Sequence, residues 1–390
     1  MKIQKFVFLL ILIFLPTQLG RHFWPKFVYV LGQRVDYLSP TIYLTDVLIG
    51  ILFLLEIKEI CGFLRKRFLV SLFFGFLVLL LSLFWIHFQD QDPGLLLYKW
   101  IKLFELLFFI LWVKNNVKIE EILAPLSLGV LGESLLAWVE FLSQRSLGFW
   151  ILGERSFHAG TPGIALANWQ GRLILRPYAT FPHPNVLAGY TLIVLILNLF
   201  LKCQPKFLRA FTLLFGTITI GICFSRVVWI AWFLVLGSWL LMKRRNLAFP
   251  FLVFWNLGEE AIWRRIELAR AAFEMTRTSP IFGVGLGNFI PKLPKFLIPK
   301  KLYFWQPVHN IFLLILAEAG MIGLCVMGYG LWVILKKLWR KKNLALIYSL
   351  FAIIFTGFFD HYWLTLQQTQ LLLALIIGLS IKNADVLESS

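Results

Sequence analysis

The chain has 390 residues, of which 59% are apolar, and its mean hydropathy is +0.79. This composition leaves too little polar surface to cover soluble domains, so it excludes an ordinary soluble protein and indicates an integral membrane protein. The formal net charge is +18, from 38 Lys and Arg against 20 Asp and Glu. The basic residues stand in short clusters between apolar runs, a pattern typical of membrane topology, so we expect no nucleic-acid partner.

Apolar runs of about 20 residues, the length that crosses the hydrocarbon core as a helix, predict about twelve transmembrane helices. The candidate segments lie near residues 4–20, 42–62, 68–88, 95–113, 120–142, 184–202, 207–223, 226–242, 246–257, 309–334, 343–361 and 365–381. We therefore expect an all-α integral membrane protein, built as a single polytopic domain over residues 1–390.

The charge of the connecting segments predicts the orientation of these helices. Basic clusters lie at 65–67, 114–118, 202–206, 243–245 and 336–342, whereas the turn at 89–93 on the other side reads Gln-Asp-Gln-Asp-Pro. Under the positive-inside rule, the N- and C-termini of this multi-pass protein are cytoplasmic. The first apolar segment lacks a small-x-small cleavage site after Pro16, so we expect an uncleaved helix and not a signal peptide.

This topology places two long connections outside the membrane, at 143–183 and 258–308, and loops of such length are usually functional. In the second connection, Ile262, Ile266, Ala269 and Phe273 recur at helical spacing and predict an amphipathic helix that packs on the membrane domain by this stripe. Arg265 falls on the shoulder of the stripe and is the candidate site residue. Its neighbour Arg264 is predicted to point to water, so that Arg264→Ala should be mild.

Glycines at 283, 285 and 287 follow this helix in the stretch Thr-Ser-Pro-Ile-Phe-Gly-Val-Gly-Leu-Gly-Asn-Phe. No predicted strand precedes them, and Asn288 stands where a dinucleotide fingerprint needs its last glycine. We interpret the stretch as a turn in which backbone segments pack closely.

The order of several short motifs resembles the O-antigen ligase and polymerase superfamily. Arg-x-Glu-Leu at 265–268 is followed by Pro-Ile-Phe-Gly-Val-Gly-x-Gly-Asn-Phe, then by His309-Asn310 and by Glu-Ala-Gly-Met-Ile-Gly at 318–323. Upstream, Arg176 leads to Thr-Phe-Pro-His-Pro-Asn at 180–185, and Ser225-Arg226 opens the eighth predicted helix. The resemblance implies a GT-C-like fold of about twelve helices, with a large external loop between helices 9 and 10.

The resemblance also implies an activity in the cytoplasmic (inner) membrane. Members transfer a glycan from an undecaprenyl-diphosphate carrier to an acceptor hydroxyl, on a lipid or a surface polymer, at the outer face. The expected transfer inverts the anomeric centre and needs no metal and no other cofactor, so we predict no metal ligand. The partners would be the carrier-linked glycan, the acceptor and membrane lipids.

Site residues follow from the positions that match the motifs. Arg226 and Arg265 would stabilise the departing diphosphate, because guanidinium groups give planar, permanently charged donors. His309 would act as the general base or would orient the acceptor. Substrate binding is predicted for Arg176, Asn185 and Asn310.

Structural roles remain open for the same residues. Arg226 could extend to the lipid headgroups, Arg176 could meet lipid phosphate, and Asn310 could cap a helix. For His183 we favour a rigid start of a helix. Structural roles are also favoured for a Lys102–Glu105 pair and for Glu318 and Asp360, although the last two could instead line the cavity.

Two other functions remain open beside the ligase. The first is a polymerase that joins one lipid-linked repeat unit to another. The second is a transporter of the lipid-linked sugar, which the lack of paired broken helices in the sequence disfavours.

Overall fold

A computed structural model describes residues 3–64, 92–243, 259–297 and 305–385. The chain is mostly helical in these ranges. The α-helices are α1 Ile3–Phe14, α2 Leu44–Leu64, α3 Pro93–Asn116, α4 Ile119–Ser143, α5 Pro184–Phe200, α6 Lys206–Ile222, α7 Arg226–Met242, α8 Glu259–Thr278, α9 Phe289–Lys292, α10 Ile311–Arg340, α11 Leu344–Gly357, α12 Tyr362–Thr365 and α13 Gln367–Asp385. All predicted membrane segments coincide with these helices, except those at 68–88 and 246–257, which lie outside the described residues.

Two of the described helices, α4 and α10, are long and apolar enough to cross a membrane by length and composition. Helices α1, α5, α7 and α11 are apolar but shorter. The first segment is shorter than predicted, because α1 ends at Phe14 and not near residue 20. Pro16 follows, and proline disfavours helical geometry in the residue before it. At about 1.5 Å per residue, α1 is about 18 Å long, less than the roughly 30 Å hydrocarbon core.

In the described residues six short strands lie between the helices, so the all-α prediction is corrected to a mostly helical fold with small sheets. The strands are β1 Gly20–His22, β2 Tyr29–Val30, β3 Gln33–Arg34, β4 Thr41–Tyr43, β5 Leu166–Trp169 and β6 Arg172–Leu175. They pair as β1 with β4, β2 with β3 and β5 with β6, the last two pairs antiparallel. Strands of two to four residues are too short to leave an alternating pattern, which is why sequence reasoning missed the ordered connection between α1 and α2.

The described chain divides into two compact units. Unit 1 is Met1–Ile11, Arg21–Phe108 and Leu257–Trp332, and unit 2 is Leu12–Gly20, Phe109–Asn256 and Val333–Ser390. Within unit 2, α5 is central and packs against α4, α6, α7, α11 and α13. Every residue of α5 is buried except Asn185 and Phe200. This burial accounts for the almost continuous apolar run of α5 and leaves Asn185, in its first turn, as a polar group at the end of the bundle.

Within unit 1, helix α10 is interrupted at Gly320, where the backbone adopts φ 65° and ψ −165°. Four backbone hydrogen bonds join the break to the glycine-rich turn: Val284 N to Ala317 O (2.8 Å), Gly285 N to Glu318 O (2.9 Å), Met321 N to Pro280 O (2.9 Å) and Ile322 N to Ile281 O (3.2 Å). We call residues 280–285 and 317–322 the Gly320 junction. The turn supplies partners for groups that the broken helix no longer satisfies, as an apolar environment requires.

The junction confirms the predicted close packing of backbone at the glycines. A Cβ atom at Gly320 would lie 2.2 Å from the Ile281 carbonyl oxygen, and one at Gly283 would lie 2.4 Å from the Glu318 carbonyl carbon. Gly283, Gly285 and Gly287 all have positive φ, at 73°, 108° and 76°. Glycine is therefore required here both by conformation and by space.

Replacing Gly320 by alanine is expected to destabilise the protein. The backbone conformation alone costs a non-glycine residue about 1–3 kcal/mol, and the contact with Ile281 adds to this cost. Gly328→Ala in the same helix is the control, because nothing lies within 4 Å of a Cβ at Gly328 and alanine gains up to about 1 kcal/mol in helix propensity. Thermal unfolding of the purified proteins in detergent measures both changes. Equal melting temperatures for Gly320→Ala and the wild type would contradict the conclusion that glycine is required at position 320.

Candidate functional site

The structure distributes the predicted site residues over both units. Arg176, Asn185 and Arg226 belong to unit 2, whereas Arg265, His309 and Asn310 belong to unit 1. All six side chains are partly buried. They are thus neither core residues nor freely solvated surface groups.

Arg176 and Asn185 are in direct contact in unit 2. The Arg176 Nη2 donates to Asn185 Oδ1 at 2.6 Å, and its Nε donates to the Cys223 carbonyl oxygen at 2.8 Å. Asn185 Nδ2 in turn donates to Asp360 Oδ2 at 2.9 Å. A guanidinium, an amide and a carboxylate therefore form one hydrogen-bonded chain, in which the orientation of each group depends on the next.

Local chain features place these groups at the start of α5. His183 is the N-cap, and its Nδ1 accepts a hydrogen bond from the Asn185 N–H at 3.1 Å. Pro184 follows at the first helical position, where its fixed φ suits a helix start. The interpretation of His183 as a rigid helix start is confirmed, and it fixes the position of Asn185.

Arg226 is the first residue of α7 and follows the N-cap Ser225. A positive side chain at the positive end of a helix dipole is unfavourable unless an anion compensates it. Burial lowers the pKa of Arg176, and the charge of Arg226 lowers it further, while Asp360 acts in the opposite direction. The two guanidinium charges of unit 2 therefore interact electrostatically, and two positive charges of this kind favour an anionic ligand.

Two buried carboxylates from α4 hold the segment between Arg176 and Asn185. Glu140 Oε2 accepts hydrogen bonds from the N–H groups of Tyr178 and Ala179, both at 2.8 Å. Glu133 accepts one from the Thr180 hydroxyl at 2.8 Å and one from its N–H at 3.1 Å. These bonds stabilise the loop although Ala179 has a positive φ of 50°. Carboxylates inside an otherwise apolar helix were the signal that could have revealed this role.

In unit 1, Asn310 caps helix α10. Its Oδ1 accepts hydrogen bonds from the N–H groups of Phe312 and Leu313, at 2.9 and 3.0 Å. The alternative of a capping residue is therefore confirmed, and the substrate-binding role of Asn310 stays a prediction. His309 immediately precedes the cap, so that its side chain is placed at the N-terminal end of the helix.

Helix α8 exists as predicted, but it packs through a different face. Leu268, Ala271, Ala272 and Met275 are buried, at the i, i+3, i+4 and i+7 positions of a helical stripe. The predicted stripe is largely exposed instead, with Ile262, Ile266 and Phe273 between 39% and 54% accessible. The expectation that α8 packs by those residues is wrong.

This difference changes the argument about the two arginines of α8. At about 100° per residue, Arg264 lies about 30° from the centre of the buried stripe and Arg265 about 70° from it. Both side chains are partly buried. The prediction that Arg264 points to water is therefore wrong, and the choice of Arg265 rests on its position in the motif.

Asp360, for which the sequence favoured a structural role, accepts a hydrogen bond from the predicted site residue Asn185. Besides Asn185, it binds the N–H of His361 through Oδ1 at 2.8 Å, and the His361 ring nitrogen Nδ1 is 2.8 Å from the Thr365 hydroxyl. An acidic residue and a histidine at the end of an apolar helix were the available signal. By contrast, Lys102 and Glu105 form the expected structural pair at 3.2 Å.

Residues 186–328, which make up less than half of the chain, match the family model described as O-Antigen ligase. The match confirms the resemblance to the O-antigen ligase superfamily, a family of membrane proteins that act on lipid-linked glycans. It includes Arg226, Arg265, His309 and Asn310. No curated protein matches the chain.

Glu140→Ala is expected to loosen the loop that carries Arg176. The change leaves the Tyr178 and Ala179 amides without their acceptor, at about 1–3 kcal/mol for each buried group. Glu120→Ala, at an exposed position in the first turn of the same helix, should cost less than about 1 kcal/mol. Thermal unfolding and limited proteolysis of residues 143–183 measure the difference. Equal protease resistance of the two variants would show that Glu140 does not hold the loop.

Proposed function

We propose that this protein is a glycan ligase that transfers a glycan from an undecaprenyl-diphosphate carrier to a hydroxyl of a lipid or surface polymer. The match of residues 186–328 to the O-antigen ligase family carries the proposal, and it supports a lipid-linked glycan ligase or polymerase in general. Arg226, Arg265 and His309 all lie in the matched stretch. We place the reaction at the outer face of the cytoplasmic membrane, with both termini cytoplasmic and the connections at 143–183 and 258–308 outside.

The charges of unit 2 support a diphosphate as the leaving group. Arg176 and Arg226 interact electrostatically, and both α5 and α7 begin at residues of this site. Helix N-termini and guanidinium groups both stabilise phosphate oxygens, and fixed donors need little reorganisation during the reaction. We assign charge stabilisation to Arg226 and Arg265, and carrier or sugar binding to Arg176, Asn185 and Asn310.

The proposed reaction is a single displacement. The acceptor oxygen attacks the anomeric carbon as the bond from that carbon to the diphosphate oxygen breaks, and the electron pair leaves with the carrier. His309 accepts the acceptor proton, or it orients the hydroxyl while the proton passes to the departing diphosphate. Attack on the face opposite the leaving group inverts the anomeric centre. Neither a metal nor a covalent enzyme intermediate is part of this scheme.

A polymerase is the second candidate, because the matched family supports ligases and polymerases alike. A transporter is less well supported. The break in α10 at Gly320 is a feature of transporter helices, in which freed backbone groups bind the substrate. Here those groups bind residues 280–285 instead.

His309→Ala, Arg226→Ala and Arg265→Ala should each insert normally and lose glycan transfer by roughly 100-fold or more, the usual cost of removing a general base or an oxyanion donor. Arg277→Ala is the control, since this arginine lies on the same helix as Arg265 and its side chain is 78% exposed. Membrane insertion of each variant is compared first. Transfer is then measured with equal amounts of purified protein supplied with carrier-linked glycan from the native host. Near-wild-type transfer by all three variants would remove the site assignment.

Deletion of the gene in its native host separates the two enzymes. Long glycan chains should accumulate on the carrier while acceptors stay bare, because a ligase empties the carrier. Short single repeats on both carrier and acceptor would instead identify a polymerase. If the carrier-linked and acceptor-linked glycans are both unchanged, the ligase and the polymerase functions are both contradicted.

A further inference from the structure

The connection after α4 carries a run of exposed apolar side chains at residues 147–152, which we call the apolar tip. Its five large apolar residues are between 40% and 74% accessible: Leu147, Phe149, Trp150, Ile151 and Leu152. A contiguous exposed apolar group of this kind marks an interaction surface. The tip lies beyond the end of α4 at Ser143, so these are not side chains that a membrane-spanning helix turns toward lipid.

The backbone of the apolar tip finds hydrogen-bond partners within its own loop. The carboxylate of Glu154, which is buried, accepts the Leu147 N–H at 2.6 Å through Oε1 and the Phe149 N–H at 2.5 Å through Oε2. Three further N–H groups are satisfied by turn bonds: Trp150 N to Gly148 O (2.8 Å), Leu152 N to Phe149 O (2.9 Å) and Gly153 N to Trp150 O (2.9 Å). These backbone groups need no water as a partner, so the tip can enter an apolar phase without leaving them unsatisfied.

Hydrogen bonds also fix the base of the tip. The Ser146 N–H donates to the Phe157 carbonyl oxygen at 3.0 Å, and the Phe157 N–H donates to the Ser146 hydroxyl at 2.8 Å. Gln144 Oε1 accepts the Leu175 N–H at 2.7 Å, which ties the start of the connection to the segment that leads to Arg176. The exposure of the tip is therefore a property of a loop that is held in place at its base.

Two apolar helices end beside the tip. Leu147 follows the end of α4 by four residues, and α4 is long and apolar enough to cross a membrane. Gly153 packs on the segment after α1, because a Cβ atom at Gly153 would lie 2.6 Å from the Gln18 backbone nitrogen. Gln18 follows the end of α1 by four residues. The tip thus lies where apolar helices end, and under the predicted topology this is the outer face of the membrane.

The charges of the connection at 143–183 are complementary to an anionic lipid surface. It contains four arginines and one acidic residue, Glu154, whose carboxylate is buried against the backbone of the tip. Arg145 and Arg155, on either side of the tip in the chain, are exposed, and so is Arg172. Exposed guanidinium groups near a bilayer bind lipid phosphates. A protein partner fits less well, because a stable interface uses about 20–30 residues a side.

We propose that the apolar tip, folded around the Glu154 carboxylate, inserts into the adjacent leaflet of the phospholipid bilayer, which is the outer leaflet under the predicted topology. Trp150 and Ile151 lie at the boundary between headgroups and acyl chains, where tryptophan is enriched because its ring is apolar and its N–H is polar. The exposed arginines meet the lipid phosphates. The insertion anchors the loop that leads to Arg176 at the membrane surface, and the inference does not use the proposed reaction.

The test places a polarity-sensitive NBD dye on the full-length protein. Ile151→Cys carries the dye at the tip, and Ser156→Cys carries it at a matched control position. Both positions are exposed and lie in the same loop, on either side of Glu154. Neither side chain contributes a hydrogen bond that holds the tip, so the substitutions should leave the fold intact.

The background protein keeps Cys223, which is buried, and has serine in place of the other native cysteines, Cys61, Cys203 and Cys325. Each labelled protein is reconstituted in nanodiscs of phosphatidylcholine and phosphatidylglycerol. Half of the preparations contain lipid with a nitroxide on the acyl chain, which quenches only a dye that contacts lipid.

Nitroxide lipid should quench the dye at position 151 roughly threefold or more as strongly as the dye at position 156, because an inserted apolar face lies about 5–10 Å inside the boundary. Emission at position 151 should also shift to the blue. An unshifted, unquenched dye would place the tip in water, and a blue shift without lipid quenching would mean that protein covers it. Either result, or equal quenching at both positions, would overturn the proposal.

Glu154→Ala in the Ile151→Cys protein tests the buried carboxylate. It removes the acceptor of the Leu147 and Phe149 N–H groups, which water can replace and lipid cannot, so quenching at position 151 should fall toward that at position 156. Glu154→Gln keeps one acceptor oxygen and should give an intermediate value. Unchanged quenching in Glu154→Ala would overturn insertion of a tip held by Glu154. Neither readout uses glycan transfer, so a protein that fails to transfer glycan but shows tip quenching would contradict the proposed function alone.

Discussion

A helix that breaks among apolar side chains exposes backbone groups for which lipid offers no partners, and this constraint organises unit 1. The break at Gly320 is stable because residues 280–285 supply two donors and two acceptors to it. The approach is so close that Gly283 and Gly320 cannot carry a side chain. The same contact joins the segment after α8 to the part of α10 before Gly320, and His309 lies just before the start of this helix. The glycine-rich motif is thus a structural connection between two segments that bear proposed catalytic residues.

In unit 2, side chains provide the hydrogen-bond partners for backbone groups outside the helices. Glu133 and Glu140 extend from α4 and accept the backbone N–H groups of the loop that precedes α5. With these amides satisfied, the loop can lie at the end of a buried helix bundle and hold Arg176 against Asn185. Polar groups in both units occur where helices start, end or break, because helix interiors already satisfy their own backbone.

The electrostatics of these helix ends fit the chemistry that we propose. Arg176 and Arg226 raise the positive potential at the starts of α5 and α7, and Asp360 offsets part of it through Asn185. In the proposed reaction a diphosphate would add negative charge here when it binds and would leave as a stabilised anion when the new glycosidic bond forms. The Arg176 guanidinium is already oriented by its hydrogen bonds to Asn185 and to the Cys223 carbonyl oxygen, so it needs little ordering in the proposed transition state.

The sequence by itself determined the helical segments and the superfamily, because apolar runs and motif order are local properties of the chain. It also identified the close-packed glycine turn and the start of α5 at His183. Only the tertiary structure decided which face of α8 is buried, since two apolar stripes of that helix have the same 3.6-residue period and the pattern cannot choose between them. Tertiary structure also brought Asp360 to Asn185 and residues 280–285 to the break in α10. These contacts join residues far apart in the chain, and local sequence carries no record of such partners.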